Sequence, residues 1–296
     1  MTVVRLVSVV GGDTSLLPHM LAHYEGLGVE AFHVIRHVES GLDPTLASSV
    51  EAVRDAGHDF TRLSVGPWHE HLNPRLIRET MAEHPDDWWV VADLDEFQVY
   101  PDSLKETVAH CERHGFDYVE GAFLDRVAAD GSFPDPEPYG SVPLWRQYPL
   151  AGLVTLRLMG ARPTKVPLAR GRVELGYGQH NSWTGRGAPA EHVYAQVHHF
   201  KWTASARERL ARRVAAYSSG EWHINNAKII DESRAFLDHV AAHQGRLKVD
   251  DPRLDFQRCA LEYGDYTGWA DLAATLSRQY VEFDAARAAT GRREAG

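Results

Sequence analysis

From residue 3 to residue 92 short apolar runs alternate with longer segments whose apolar residues recur every three or four positions, and this alternation constrains the fold more than any other feature. Short apolar runs bounded by turn residues read as buried strands, and three-and-four spacing reads as amphipathic helix. Residues 3–10 form the first strand. In DTSLLPHMLAHYEGLG, Leu16, Leu17, Met20, Leu21, Tyr24 and Leu27 share one helical face, residues 13–15 are available as caps, and Gly28 is a stop. AFHVIRH is the second strand. DPTLASSVEAVRDAG is the second helix, with Asp43 as cap, Pro44 in its first turn and Leu46, Val50 and Val53 on one side. DFTRLSV, NPRLIRETMAEH and WWVVAD continue the series as strand, helix and strand. Such alternation builds a mainly parallel sheet with helices on both faces, so the expected class is α/β and Rossmann-like.

PDSLKETVAHCERHG adds a capped helix and DYVEGAFLDR a strand, after which the rhythm breaks. AADGSFPDPEPYGSVPLWRQYP has neither period; residues 127–150 are expected to form a long irregular loop that closes over a ligand. LVTLRLM, RVELGYG and HVYAQVHHF read as further strands. From about Ala204 the pattern is helical: ARERLARRVAAY, a segment near residues 229–243, and a last helix carrying Trp269, Leu272, Leu276, Tyr280 and Phe283. The expected organisation is one α/β domain over residues 1–205 with a helical extension, residues 206–296, packed on it.

The chain has 296 residues, 44% of them apolar, enough for a sizeable core. A formal net charge of −10 argues against a nucleic-acid partner, because phosphate backbones require concentrated Lys and Arg. A small anionic ligand stays open, since a metal can supply positive charge locally. Cys111 and Cys259 stand far apart with no CxxC, which indicates neither a disulfide framework nor a thiolate zinc site and points to a cytoplasmic location. The opening MTVVRLVSVVGGD is too short to span a membrane and lacks a signal-peptide cleavage pattern, so no transmembrane segment is expected.

The fourth strand runs directly into Asp93, Asp95 and Glu96. Open α/β sheets bind ligands at the carboxyl ends of their strands. Two aspartates in one tight turn can approach one hard divalent cation, Mn²⁺ or Mg²⁺, and such an ion commonly bridges to a substrate diphosphate and neutralises charge on the leaving group. The plainer reading is a strand-end Asx turn. Phosphatases of the HAD type also place Asp-x-Asp after a strand, but they expect Thr or Val soon after the second Asp; here Glu96 and Phe97 follow, and three strand–helix units precede.

LLPHMLAHYEGLGVEAFHVIRH, WWVVADLDEFQVYP and VHHFKWTASARERLARRV together resemble the three landmarks of family-2-type glycosyltransferases with a DxDEF motif, which are GT-A nucleotide-sugar enzymes. The resemblance covers most of residues 1–220. It implies a nucleotide-diphospho-sugar donor, a divalent metal, and transfer, with inversion favoured, to a small-molecule or glycan acceptor. It also implies Asp93 facing the ribose or the metal, Asp95 as a direct metal ligand, and His199 as a further metal ligand or a diphosphate donor. Relatives often carry an Asn–Glu pair after the first strand where this chain has Gly11, Gly12 and Asp13, which leaves Gly11 as the candidate there.

Other candidates come from position. His198 and His199 alternate faces on a strand, so one of them points at the cleft. His180, in the Gly-flanked GYGQHNSW, could bind acceptor, act as a base or cap its turn. Lys165 and Lys201 are candidates for the diphosphate. Arg36, His37 and Glu39 follow the second strand near the nucleotide crevice, where Glu39 could accept from a base or ribose hydroxyl. Asp125 and Glu191 are the best-placed carboxylates for the general base that inversion requires. Arg207, Arg209, Arg212 and Arg213 have the spacing of a solvated helix face. Trp145, Trp183 and Trp202 could stack on sugars or fill the core. The rival readings are a nucleotidyltransferase on a related sheet, for which GGDTSLLP is a poor phosphate loop, and a non-catalytic sugar-nucleotide or glycan binder.

Overall fold

The computed structural model describes residues 3–222 and 227–279. The chain begins with β1 (Val4–Val10), α1 (Leu17–Gly26), β2 (Ala31–Val38), α2 (Thr45–Asp55), β3 (Phe60–Val65), α3 (Leu72–Met81) and β4 (Trp88–Val91). Strand β1 pairs in parallel with β2 on one side and β4 on the other, and β3 continues the parallel set beyond β2. Alternate residues serve two layers. Leu6, Val10, Trp88 and Val90 pack with Leu17, Met20, Leu21 and Tyr24 of α1, whereas Val7, Val9, Trp89 and Val91 pack with Leu72, Leu76, Ile77 and Met81 of α3. A strand covered on both faces has no polar side, which is why WWVV reads as an unbroken apolar run and VRLVSVV as an apolar run interrupted only by Arg5 and Ser8.

The second half adds β5 (Glu96–Val99), α4 (Leu104–His114), β6 (Tyr118–Val127), α5 (Leu144–Gln147), β7 (Leu150–Gly152), β8 (Thr164–Arg170), β9 (Ala195–His199), α6 (Ala206–Ser219), α7 (Lys228–Ala242) and β10 (Gln257–Arg258). Ser103 and Glu106 close a reciprocal capping box on α4. The parallel centre is widened by antiparallel pairing: β8 lies between β4 and β6, and β7 and then β10 follow at the edge. Strand β9 runs parallel to β6 and pairs antiparallel with β5.

Two strand expectations fail for local reasons, and one strand lies where none was expected. LVTLRLM curls into a π-helical turn, Val154–Leu158, because the Asp125 carboxylate accepts from both Thr155 N and Thr155 Oγ1. RVELGYG forms no strand and ends in the tight turn Tyr177–Gln179. Strand β8 arises instead in TKVPLAR, where Lys165 and Pro167 hide the pattern.

Trp202 stacks on Phe236 of α7 at 4.2 Å and 14°. Residues 269–279 are helical, and Trp269, Ala273 and Leu276 pack against Ala122, Leu124 and Tyr194. Tyr280 and Phe283, with the rest of the extension to residue 296, lie outside the described residues. The 127–150 segment is fastened rather than open. Buried Arg126 donates to Tyr148 O (3.0 Å), Trp145 O (3.2 Å), Cys259 O (2.7 Å) and Ala260 O (3.1 Å), and His19 Nε2 donates to Glu137 O (2.9 Å). No helix of the described residues is long and apolar enough to cross a membrane.

Candidate active site

The DLDEF turn closes on itself. Glu96 N donates to Asp93 O at 3.1 Å, and Asp93 N donates to Glu96 Oε2 at 3.2 Å. Glu96 is buried, and its other oxygen meets Lys165 Nζ at 2.8 Å. Lys165 Nζ also reaches Gly178 O (2.8 Å), Gln179 Oε1 (3.0 Å) and Asp93 Oδ2 (3.4 Å). Burial works against this ammonium, but Glu96 and Asp93 outweigh it and leave its pKa above the usual lysine value. The expectation that Lys165 binds diphosphate is corrected: with 1% of its side chain exposed and its protons directed at protein oxygens, it is an internal clamp.

The Asp95 side chain is 18% exposed, against 36% for Asp93. Asp95 Oδ2 is 3.6 Å from His199 Nε2, and His199 Nδ1 donates to Asp125 Oδ1 at 3.2 Å. The register explains the meeting, since β9 sets His199 opposite Glu96 on β5 and beside Asp125 on β6. Phe123 stacks on the imidazole at 4.2 Å and fixes its plane. His198 faces the other way, with Nδ1 3.2 Å from Arg126. Asp125 is fully buried and accepts from Thr155 N, Thr155 Oγ1, Trp202 Nε1 and His199 Nδ1. A carboxylate with four donors and no open side orients its neighbours, and the general-base role expected of Asp125 is corrected on that ground.

The signal missed in the sequence is a cationic cluster. Arg209 Nη2 donates to Lys201 O at 2.7 Å, and Arg213 follows one turn later on α6. Among the described residues no ion pair within 4 Å joins Lys201, Arg209 or Arg213 to a carboxylate; Arg212, on the outer side, pairs with Glu221. Burial and the neighbouring Arg213 pull Lys201 down to about 8, which marks an ammonium short of compensating charge. Asp95 feels the same cluster in reverse. Burial would push its carboxyl up, yet His199, Arg209 and Lys201 outweigh burial and hold it below the usual carboxylate value.

Several candidates take other places. Arg36 is fully buried and donates to Val10 O (3.2 Å), Gly12 O (3.4 Å) and Thr45 Oγ1 (2.7 Å), so it braces the end of β1 rather than contacting a nucleotide. Gly11 and Glu39 lie exposed just beyond the carboxyl ends of β1 and β2. His180 Nδ1 donates to Thr164 O at 2.7 Å, and burial with Lys165 nearby lowers it to about 3; the ring caps its turn and is too weakly basic to take a proton at neutral pH. Glu191 precedes β9, and its neighbour His192 packs against His110, His114 and Phe116 at the amino end of the sheet, the wrong end for a base beside Asp95. Trp202 is core, whereas Trp183 is 41% exposed.

Among the described residues no three His, Cys, Asp or Glu side chains are grouped to hold a metal ion. Asp93 turns toward Lys165 and does not join Asp95 and His199. That leaves Asp95 and His199 as the side chains that could hold a divalent ion. Asp125 can only accept, which assigns a proton to His199 Nδ1 and leaves Nε2 facing Asp95, and a carboxylate behind a ligating imidazole is the usual support of such a ligand. An imidazole in the set favours Mn²⁺ over Mg²⁺.

No protein-family model matches the sequence, and no curated protein matches it. Among solved structures, HddC from Yersinia pseudotuberculosis is similar with a TM-score of 0.28 and 12% identity, over 44% of this chain and 60% of that one, less than two thirds of its length. A putative glucose-1-phosphate thymidylyltransferase from Bacillus anthracis, in complex with a sucrose, gives a TM-score of 0.28 and 11% identity over 92% of this chain and 95% of that one. Residues 1–349 of TarS from S. aureus give 0.32 and 12% over 80% of this chain and 72% of that one. At these scores the likenesses assign neither a family nor a reaction.

Proposed function

We propose that the chain is a metal-dependent glycosyltransferase of GT-A type that moves a sugar from a nucleotide-diphosphate donor to an acceptor nucleophile. The observation that carries this reading is the pairing of opposite charges at the carboxyl end of the sheet. Asp95 and His199 stand ready for a cation, and Lys201, Arg209 and Arg213 stand beside them without carboxylate partners among the described residues. In a chain of net charge −10, a cluster of uncompensated cations next to a cation site suits a diphosphate bound through a metal.

In this reading Lys201 and the two arginines bind the diphosphate oxygens, and the arginines offer planar forks for more than one oxygen. Gly11 and Glu39 border the nucleoside side of the crevice. Asp125 keeps the His199 ring in one orientation, and Lys165 keeps the turn rigid through Glu96. A bound divalent ion would supply charge neutralisation on the departing diphosphate. The inverting reading loses both of its proposed bases, because Asp125 is sealed and Glu191 lies at the opposite end.

The test is turnover. A panel of nucleotide-diphospho-sugars incubated with the protein and Mn²⁺ should include one that is slowly hydrolysed, with loss of activity on chelation and in Asp95→Asn. Release of pyrophosphate from a nucleoside triphosphate and a sugar phosphate would instead establish the nucleotidyltransferase.

A further inference from the structure

Residues 174–183 double back on themselves. Gly176 N donates to Asn181 O and Trp183 N to Glu174 O, each at 2.7 Å. At the tip, Gly178 and Gln179 both adopt positive φ, 64° and 54°. The tip is tied to the site already described, because Gly178 O and Gln179 Oε1 accept from the Lys165 ammonium that also grips Glu96. Whatever this hairpin displays is therefore held at a fixed offset from Asp93 and Asp95.

It displays aromatic rings. Among the described residues six large apolar side chains are exposed, and two of them, Tyr177 (50%) and Trp183 (41%), meet here at 5.6 Å and 83°. His71, at the start of α3, meets the other side of Tyr177 at 5.1 Å and 66°. With Arg78 and Glu174 on the rim, these residues bound a groove of about 190 Å³. Neither the Arg78 guanidinium nor the Glu174 carboxylate has a hydrogen bond or ion pair among the described residues, so one free donor group and one free acceptor group face the same opening.

We propose that this groove is a carbohydrate subsite that seats a sugar ring of the acceptor, a proposal that rests on the glycosyltransferase reading above. Rings set at a right angle make a corner: one supports the apolar C–H face of a pyranose while the other flanks its edge. A nucleobase is better served by a parallel slot, and of the two arginines that line the groove Arg75 is paired with Glu79, which leaves Arg78 and Glu174 to balance each other. Sugar hydroxyls both donate and accept, which matches Arg78 and Glu174 together. The volume falls short of the roughly 300–1,000 Å³ of a pocket that swallows a drug-sized ligand, so the groove admits one ring of a longer glycan lying across the surface.

The experiment is a glycan array probed with the full chain and with Trp183→Ala, alongside calorimetry of the nucleoside diphosphates with Mn²⁺ on both proteins. The wild type should retain at least one class of glycan, and Trp183→Ala should lose it by about tenfold or more with unchanged nucleotide affinity. Trp183→Phe, which keeps a ring, should recover part of the binding. No retained glycan in the wild type, or equal retention by Trp183→Ala, overturns the proposal. Loss of nucleotide affinity in Trp183→Ala also overturns it, by assigning the rings to a base. Asp95→Asn separates the two readings, because it should keep the glycan while losing donor hydrolysis. Glycan binding with no donor turnover in the wild type would sink the enzyme reading and leave the subsite standing.

Discussion

Lys165 and Lys201 stand at the same end of the sheet, yet they are in opposite electrostatic condition. Lys165 has four oxygens within 3.4 Å and a pKa above the usual value. Lys201 donates to no acceptor among the described residues, lies 5.4 Å over the Trp202 ring and is pulled down to about 8 by burial and Arg213. A folded chain satisfies a cation that it needs for its own stability. A half-buried one with no protein acceptor, beside a carboxylate turn, is open to an anion that comes from outside.

The contrast breaks most visibly on stability. Lys165→Met strands Glu96 in the interior and should cost about 3–5 kcal/mol in urea unfolding, whereas Lys201→Met, which removes an uncompensated charge, should leave the midpoint unchanged or raised. Equal destabilisation by both would erase the distinction. Asp125→Ala comes next: with Thr155, Trp202 and His199 left without their acceptor, a loss of about 3 kcal/mol is expected. Glu191→Ala should leave both unfolding and turnover where they were, and a large loss of turnover would return Glu191 to the site.

A smaller effect sharpens the structural side. His23 and His180 are held neutral by burial, at about 4 and about 3. Their folded pKa values lie below the unfolded value near 6.5, so the unfolded chain takes up the protons first and stability falls as pH drops below about 6.5. Each contributes a slope of up to about 1.4 kcal/mol per pH unit, down to about pH 4 for His23 and pH 3 for His180. His23→Gln should flatten the unfolding midpoint against pH between 6 and 4; an unchanged profile would mean that this ring is not kept neutral.

The parallel centre was legible because strands buried on both faces are mostly apolar, and the carboxylates at the end of WWVVAD were legible because that run is unbroken. Strand β5 was not, since it has four residues and opens on a glutamate. The grouping of Arg209 and Arg213 with Lys201 was hidden because an i,i+4 basic pair looks alike on a solvated face and on a binding face, and only the fold brings Arg209 Nη2 to Lys201 O. Asp125 looked available because nothing local announces that Thr155, Trp202 and His199 arrive from elsewhere in the chain to occupy it.

The most direct measurement of the central claim is calorimetric titration of a nucleoside diphosphate, with and without Mn²⁺, into the wild type, Lys201→Met and Asp95→Asn, each first shown to unfold cooperatively at or above the wild-type midpoint. The account predicts Mn²⁺-dependent binding that weakens about tenfold or more in each variant, the factor that corresponds to a lost interaction of ~1.4 kcal/mol. Binding that both variants retain at full strength, or that ignores Mn²⁺ altogether, would contradict it.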